Sequence, residues 1–120
     1  MSKVKFSVET PDEYEVAARN RTGFASPLSL SPLEAYLGLK ALFGEPKRGE
    51  YIDETGMQWV FFIKTEGAQI EVNDWKLESW SIHVYEENND VGRSEDLIKE
   101  LEKQIIQASA KHRSLFIGPP

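Results

Sequence analysis

Hydrophobic and polar residues alternate in several stretches of the chain, and this period of two is typical of β-strands with one buried face. Val4, Phe6 and Val8 alternate with polar residues near the N-terminus. The residues Glu66 and Gly67 separate a nearly continuous apolar run from another alternating stretch, which is the pattern of a β-hairpin. We predict strands over residues 4–8, 58–65, 68–73 and 80–85.

Two further stretches carry the spacing and the end signals of α-helices. Ser31, Pro32 and Glu34 form a helix start, with Ser31 as the N-cap, and Gly44 supplies a C-terminal stop. The second helix is predicted to open at Ser94, followed by acidic residues that the helix dipole favours. Its apolar stripe runs through Leu97, Ile98, Leu101, Ile105 and Ala108.

The order of these elements predicts an α+β fold in a single domain over residues 1–120. We expect a four- or five-stranded, largely antiparallel sheet with two helices packed on one face. Trp59 and Trp80 are predicted to be buried on that face. Residues 14–30 are interpreted as a long loop, with room for a short strand at 14–18, and residues 47–56 as a polar linker.

The amino-acid composition excludes several classes of function for this chain. The chain has 14 Lys and Arg against 20 Asp and Glu, for a net charge of −6, which makes duplex DNA an improbable partner. It has no cysteine, which excludes disulfide scaffolds, zinc–thiolate sites and cysteine nucleophiles. The longest apolar run, Trp59 to Ile63, is far shorter than the ~20 residues of a membrane helix. We therefore expect a cytoplasmic protein without a membrane partner.

Motifs of known catalytic chemistry are absent, and we predict no enzyme activity, no catalytic residues, no cofactor and no metal. His83 on a strand is interpreted as a surface polar residue and His112 as a helix-end charge. Glu71, Asp74 and His83 lack the fixed spacing of a metal-binding motif.

One loop could bind an anion. Arg19, Arg21, Thr22 and Gly23 place two guanidinium groups, a hydroxyl and a flexible backbone within five residues. Trp75, next to Lys76, could stack on a base. These residues predict a site for a nucleotide-like anion; the alternative is a solvated loop whose arginines pair with nearby acids.

A second candidate surface is acidic. The residues concerned are Glu86, Glu87, Asp90, Glu95 and Asp96. Such a group could meet a basic partner protein by charge complementarity. The alternative is that these acids serve solubility and the start of the helix.

Four short motifs resemble a pattern of small phage and prophage accessory proteins of uncharacterised activity. They are Phe43-Gly44-Glu45-Pro46, Gln58-Trp59-Val60-Phe61, Asp74-Trp75-Lys76 and Trp80-Ser81-Ile82. The resemblance covers less than half of the chain and identifies no functional residues. It implies stoichiometric binding, including inhibition of a host defence protein.

The sequence therefore predicts a non-enzymatic protein that binds and blocks a host or cognate protein, with sequestration of a nucleotide-like anion as the alternative. The C-terminal residues Leu115, Phe116 and Ile117 are expected to dock on their own domain or on a second copy in a homodimer.

Overall fold

The computed structural model describes residues 4–10, 24–48, 59–75 and 79–117, with the backbone alone at Phe24, Arg48, Trp75 and residues 112–117. Its strands are β1 (Ser7–Val8), β2 (Phe24–Pro27), β3 (Lys47–Arg48), β4 (Trp59–Thr65), β5 (Ala68–Trp75) and β6 (Ser79–Glu86). Its helices are α1 (Pro32–Phe43) and α2 (Val91–Ile117). The α+β class predicted from the sequence is confirmed.

Five strands lie side by side in the order β1-β4-β5-β6-β2, and every pairing is antiparallel. The short strand β3 pairs with β4 beyond the end of β1. The meander β4-β5-β6 forms the centre, with Ile70 opposite both Ile63 and Val84. This register places apolar side chains of all three strands on one face, because residues two apart share a face.

Both helices cover that apolar face and close a single core. The sheet contributes Phe61, Ile63, Ala68, Ile70, Val72, Trp80, Ile82 and Val84, and the helices contribute Ala35, Leu39, Leu97, Ile98, Leu101 and Ile105. Trp80 is 1% exposed and packs against Phe61 and Tyr36, with ring centroids 5.9 and 6.5 Å away. Its indole N–H donates to the Pro32 carbonyl over 3.1 Å. One buried side chain thus joins the sheet to the start of α1.

The start and end of α1 agree with the sequence signals. Ser31 is the N-cap: its hydroxyl accepts from the Glu34 N–H over 3.3 Å and lies 3.1 Å from the Glu34 carboxylate. Gly44 ends the helix at φ +82°, and its N–H donates to the Lys40 carbonyl. A residue without a side chain adopts this positive φ without steric cost.

A glycine in the middle of α1 lets the two helices approach closely. A Cβ atom on Gly38 would lie 2.5 Å from the Ile105 carbonyl oxygen and 2.8 Å from the Ile105 Cγ2. Glycine lowers helix propensity by about 1 kcal/mol, so its presence inside α1 is explained by this contact with α2.

Two predictions about the loops are wrong. Residues 24–27 form β2, although the sequence was interpreted as loop there, and Lys47–Arg48 form β3 inside the predicted linker. Both strands are too short to show an alternating pattern, and Pro27 is tolerated because β2 lies at the edge of the sheet. The first predicted strand is also shorter than expected, since only Ser7–Val8 pair with β4.

The C-terminal residues are helical further than the sequence indicated. The backbone of α2 continues to Ile117, where a tail after Arg113 was expected. The side chains of Leu115, Phe116 and Ile117 lie outside the described part of the chain, so their docking stays a prediction.

The two core tryptophans should contribute unequally to stability. Replacing Trp80 with Ala should cost about 3–5 kcal/mol, because the whole indole is removed from the core. The prediction that Trp59 is buried is wrong: it is only partly buried at the core margin, so Trp59→Ala should cost less. Urea unfolding of both variants, followed by far-UV circular dichroism, measures the difference. Equal losses would show that the interior position of Trp80 is not what stabilises the fold.

Candidate functional site

The β4–β5 turn meets the end of β6 at one end of the sheet. Gly67 has φ +71°, and its carbonyl accepts from the Glu87 N–H over 2.9 Å. A Cβ atom at Gly67 would lie 2.7 Å from the Arg93 Nη1 and 2.8 Å from the Glu87 Oε1. The positive φ of the turn favours glycine here, and a Cβ atom would require the ends of the Arg93 and Glu87 side chains to shift.

The carboxylate of Glu86 holds this end of the molecule together. Its side chain is 1% exposed. One carboxylate oxygen accepts from the backbone N–H groups of Asn88 and Asp90, over 2.7 and 2.8 Å. The other oxygen lies 3.0 Å from the Arg93 Nη1. The second guanidinium nitrogen of Arg93 donates to the Glu66 carbonyl in the β4–β5 turn.

These contacts stabilise the charged form of Glu86. The hydrogen bond from the Asp90 N–H is the largest cause that lowers the pKa of Glu86, and the Asn88 N–H and Arg93 act in the same direction. Burial of the carboxyl opposes them and raises the pKa, but the net direction is downward. Glu86 is thus ionised at neutral pH.

The start of α2 differs from the predicted one. The helix begins at Val91, three residues before Ser94, and the Asp90 carboxylate accepts from the Arg93 N–H over 3.1 Å as an N-cap. Asn89 precedes it at φ +55°, a conformation that Asn tolerates better than most residues. Ser94 instead donates its hydroxyl hydrogen to the Asp90 carbonyl. Asp90 and Ser94 are both capping residue types, and the earlier one begins the helix.

The result is a group of exposed carboxylates from three segments, which we call the acidic end. Its members are Glu66, Glu87, Asp90, Glu95 and Asp96. Arg93 lies among them, but both of its terminal nitrogens are bonded to Glu86 and the Glu66 carbonyl. Of the acids predicted from the sequence, Glu86 is turned inward as the support of this surface.

Sequence reasoning missed Glu66 as a member of the acidic end. Glu66 is distant from the other acids along the chain, and only the strand pairing brings it near them. Because Ala68 lies opposite Glu86, the β4–β5 turn must sit beside the loop that follows β6. The antiparallel order of the three strands, which the sequence predicted, already implies that Glu66 lies near the acids that follow β6.

The predicted anion site cannot be placed. Arg19, Arg21, Thr22, Gly23 and Lys76 lie outside the described residues. The backbone of Trp75 ends β5 opposite Ser79, and its side chain is also outside the described part. Binding of a nucleotide-like anion by this loop stays a prediction.

Glu71, Asp74 and His83 do not lie together as a metal site would require. Asp74 lies on the helix-covered face, where its carboxylate accepts from the Trp59 N–H over 2.6 Å and is 2% exposed. Glu71 and His83 are cross-strand neighbours on the opposite face, and the Tyr85 hydroxyl donates to Glu71 over 3.0 Å. Within residues 4–10, 24–48, 59–75 and 79–117, no group of three potential metal ligands is found.

Comparisons of the chain with family models, curated proteins and solved structures give no match. The resemblance to phage and prophage accessory proteins therefore stays a prediction. Among the described helices, none combines the length and the apolar character that crossing a membrane requires.

The lowered pKa of Glu86 predicts a specific dependence of stability on pH. A carboxyl with a lowered folded-state pKa stabilises the fold above its ordinary value of 4.5, and this contribution is lost as the pH falls through the lowered value. The difference in unfolding free energy between wild type and Glu86→Gln should therefore be largest at neutral pH and should shrink below pH 4.5.

Urea unfolding at a series of pH values measures this difference. Glu87→Gln is the matched control, because Glu87 is the exposed neighbour of Glu86. A Glu86→Gln difference that stays constant from neutral to acidic pH would refute the assignment of Glu86 as a stabilising charged group.

Proposed function

We propose that the protein is a non-enzymatic binding protein that acts stoichiometrically by occupying and blocking a partner protein through its acidic end. The partner surface is basic, because five exposed carboxylates at the acidic end attract cations and repel other acids. The class of partner implied by the sequence resemblance is a host or cognate protein, such as a component of host defence.

The observation that carries this proposal is the fixed geometry of the acidic end. In a flexible acidic tail, the number of charges would affect binding, but their positions would not be fixed. Here the segments that bear Glu66, Glu87 and Asp90 are joined by backbone hydrogen bonds and by Arg93, which contacts both the buried Glu86 carboxylate and the Glu66 carbonyl. A rigid arrangement of charges loses less conformational entropy on binding than a mobile one, and this favours a specific partner.

The overall charge of the chain supports the same interpretation. A net charge of −6 accelerates encounter with a basic surface and slows encounter with nucleic acid. Partner affinity should therefore decrease with salt, as screening weakens contacts between exposed charges.

Charge reversal at the acidic end should weaken binding while the fold is retained. Glu87→Lys combined with Glu95→Lys changes two exposed residues that are not members of the core. Loss of two charge contacts should weaken binding at least about tenfold. The measurement is fluorescence anisotropy of the labelled protein against a panel of purified basic proteins at low and high salt.

The matched control is Glu45→Lys combined with Glu102→Lys, which changes the net charge equally outside the acidic end. The control variant should keep nearly wild-type affinity for the panel member that binds. Equal losses in both double variants would show that net charge alone governs binding and would contradict the proposal.

A further inference from the structure

An apolar groove lies beside β1 and includes none of the residues of the acidic end. The N-terminal segment forms one wall through Val4 and Phe6. The C-terminal end of α1, through Ala41 and Leu42, and Ala108 of α2 form the other wall. The groove has a volume of about 940 Å³, enough for several residues of a peptide.

The backbone of β1 and of the residues just before it offers hydrogen-bonding groups beside this groove, which Phe6 and Ser7 line and Val8 follows. The Glu9 N–H donates to the Phe62 carbonyl over 2.8 Å, so Glu9 faces β4. Successive residues of a strand direct their backbone groups to opposite sides, and Val8 and Phe6 therefore direct theirs away from β4. Strand β1 is the last in the sheet order on this side, among the strands that the structure describes.

The helices extend over this edge and would cover an added strand. The Gln104 side chain donates to the Val4 carbonyl over 3.0 Å, which places α2 against the segment that leads into β1. Lys111 lies seven residues further along α2, or about 10 Å at the helical rise of 1.5 Å per residue. The side chains of Val8 and Leu42 are 50% and 38% exposed, and they would contact apolar side chains of an added strand.

The charges at the groove differ from those of the whole chain. Lys5 and Lys111 are the charged side chains among its described lining residues, and both are exposed. On a protein with net charge −6, this local positive charge selects for a carboxylate.

We propose that the groove binds an extended, acidic segment of a partner protein, which adds one strand to the sheet at β1. Backbone bonds to Phe6 and Val8 give affinity, and apolar side chains at alternate positions of the peptide enter the groove beneath the helices. This site goes beyond the proposed function and uses none of the residues of the acidic end.

A single peptide strand fits this groove better than a second copy of the chain. Antiparallel pairing of β1 with β1 of another copy would place both helix layers on the same side of a continuous sheet. The ends of α1 and α2 from both copies would then compete for one groove.

The probe is a displayed library of random dodecapeptides selected on the wild-type protein, followed by anisotropy of the enriched peptides. We expect peptides with alternating apolar residues and at least one acid. Val8→Pro removes one outward N–H and leaves the Glu9 bond to β4, so it should weaken binding about tenfold. Leu42→Glu should weaken it comparably by placing a negative charge on the apolar wall.

Leu33→Glu is the matched control, since Leu33 lies on the same helix, is 68% exposed and does not line the groove. It should retain wild-type affinity, and thermal melts should show all three variants folded. Absence of enrichment, or equal peptide affinity in wild type, Val8→Pro and Leu42→Glu, would overturn the proposal. A wild-type dimer in sedimentation that Val8→Pro converts to a monomer would also overturn it, in favour of a second copy.

Discussion

The buried carboxylate of Glu86 is the constraint on which the acidic end depends. A carboxylate removed from water is costly unless hydrogen bonds and an opposite charge compensate it. Asn88, Asp90 and Arg93 supply that compensation, and each belongs to the loop or helix that follows β6. The need to satisfy one buried charge therefore fixes where α2 begins and how the β4–β5 turn lies against it.

This arrangement separates two roles among residues that look alike in the sequence. Glu86 supports the surface from within, whereas Glu87 and Glu95 remain exposed to a partner. The groove beside β1, by contrast, combines apolar walls with lysines. The protein therefore presents two chemically different surfaces on one small fold, and each is held by backbone contacts rather than by a flexible tail.

Much of the fold could be predicted because local patterns agreed with tertiary packing, as at the Ser31 cap and in the alternation of β6. Strand β2 could not be predicted, because its residues show almost no local pattern and it forms only through long-range pairing with β6. The burial of Glu86 had a signal: it continues the inward series Trp80, Ile82 and Val84 at a spacing of two. The contact between Arg93 and Glu86 could not be predicted, because it depends on the geometry of the turn in the folded chain.

A double-mutant cycle on Glu86 and Arg93 tests the central claim most directly. The free energies of unfolding of Glu86→Gln, Arg93→Gln and the double variant are compared with wild type at neutral pH. If the pair is the support of the acidic end, the loss of stability in the double variant should be smaller than the sum of the two single losses, because both single changes break the same Glu86–Arg93 contact. Additive losses would show that the two side chains act independently and would contradict the account.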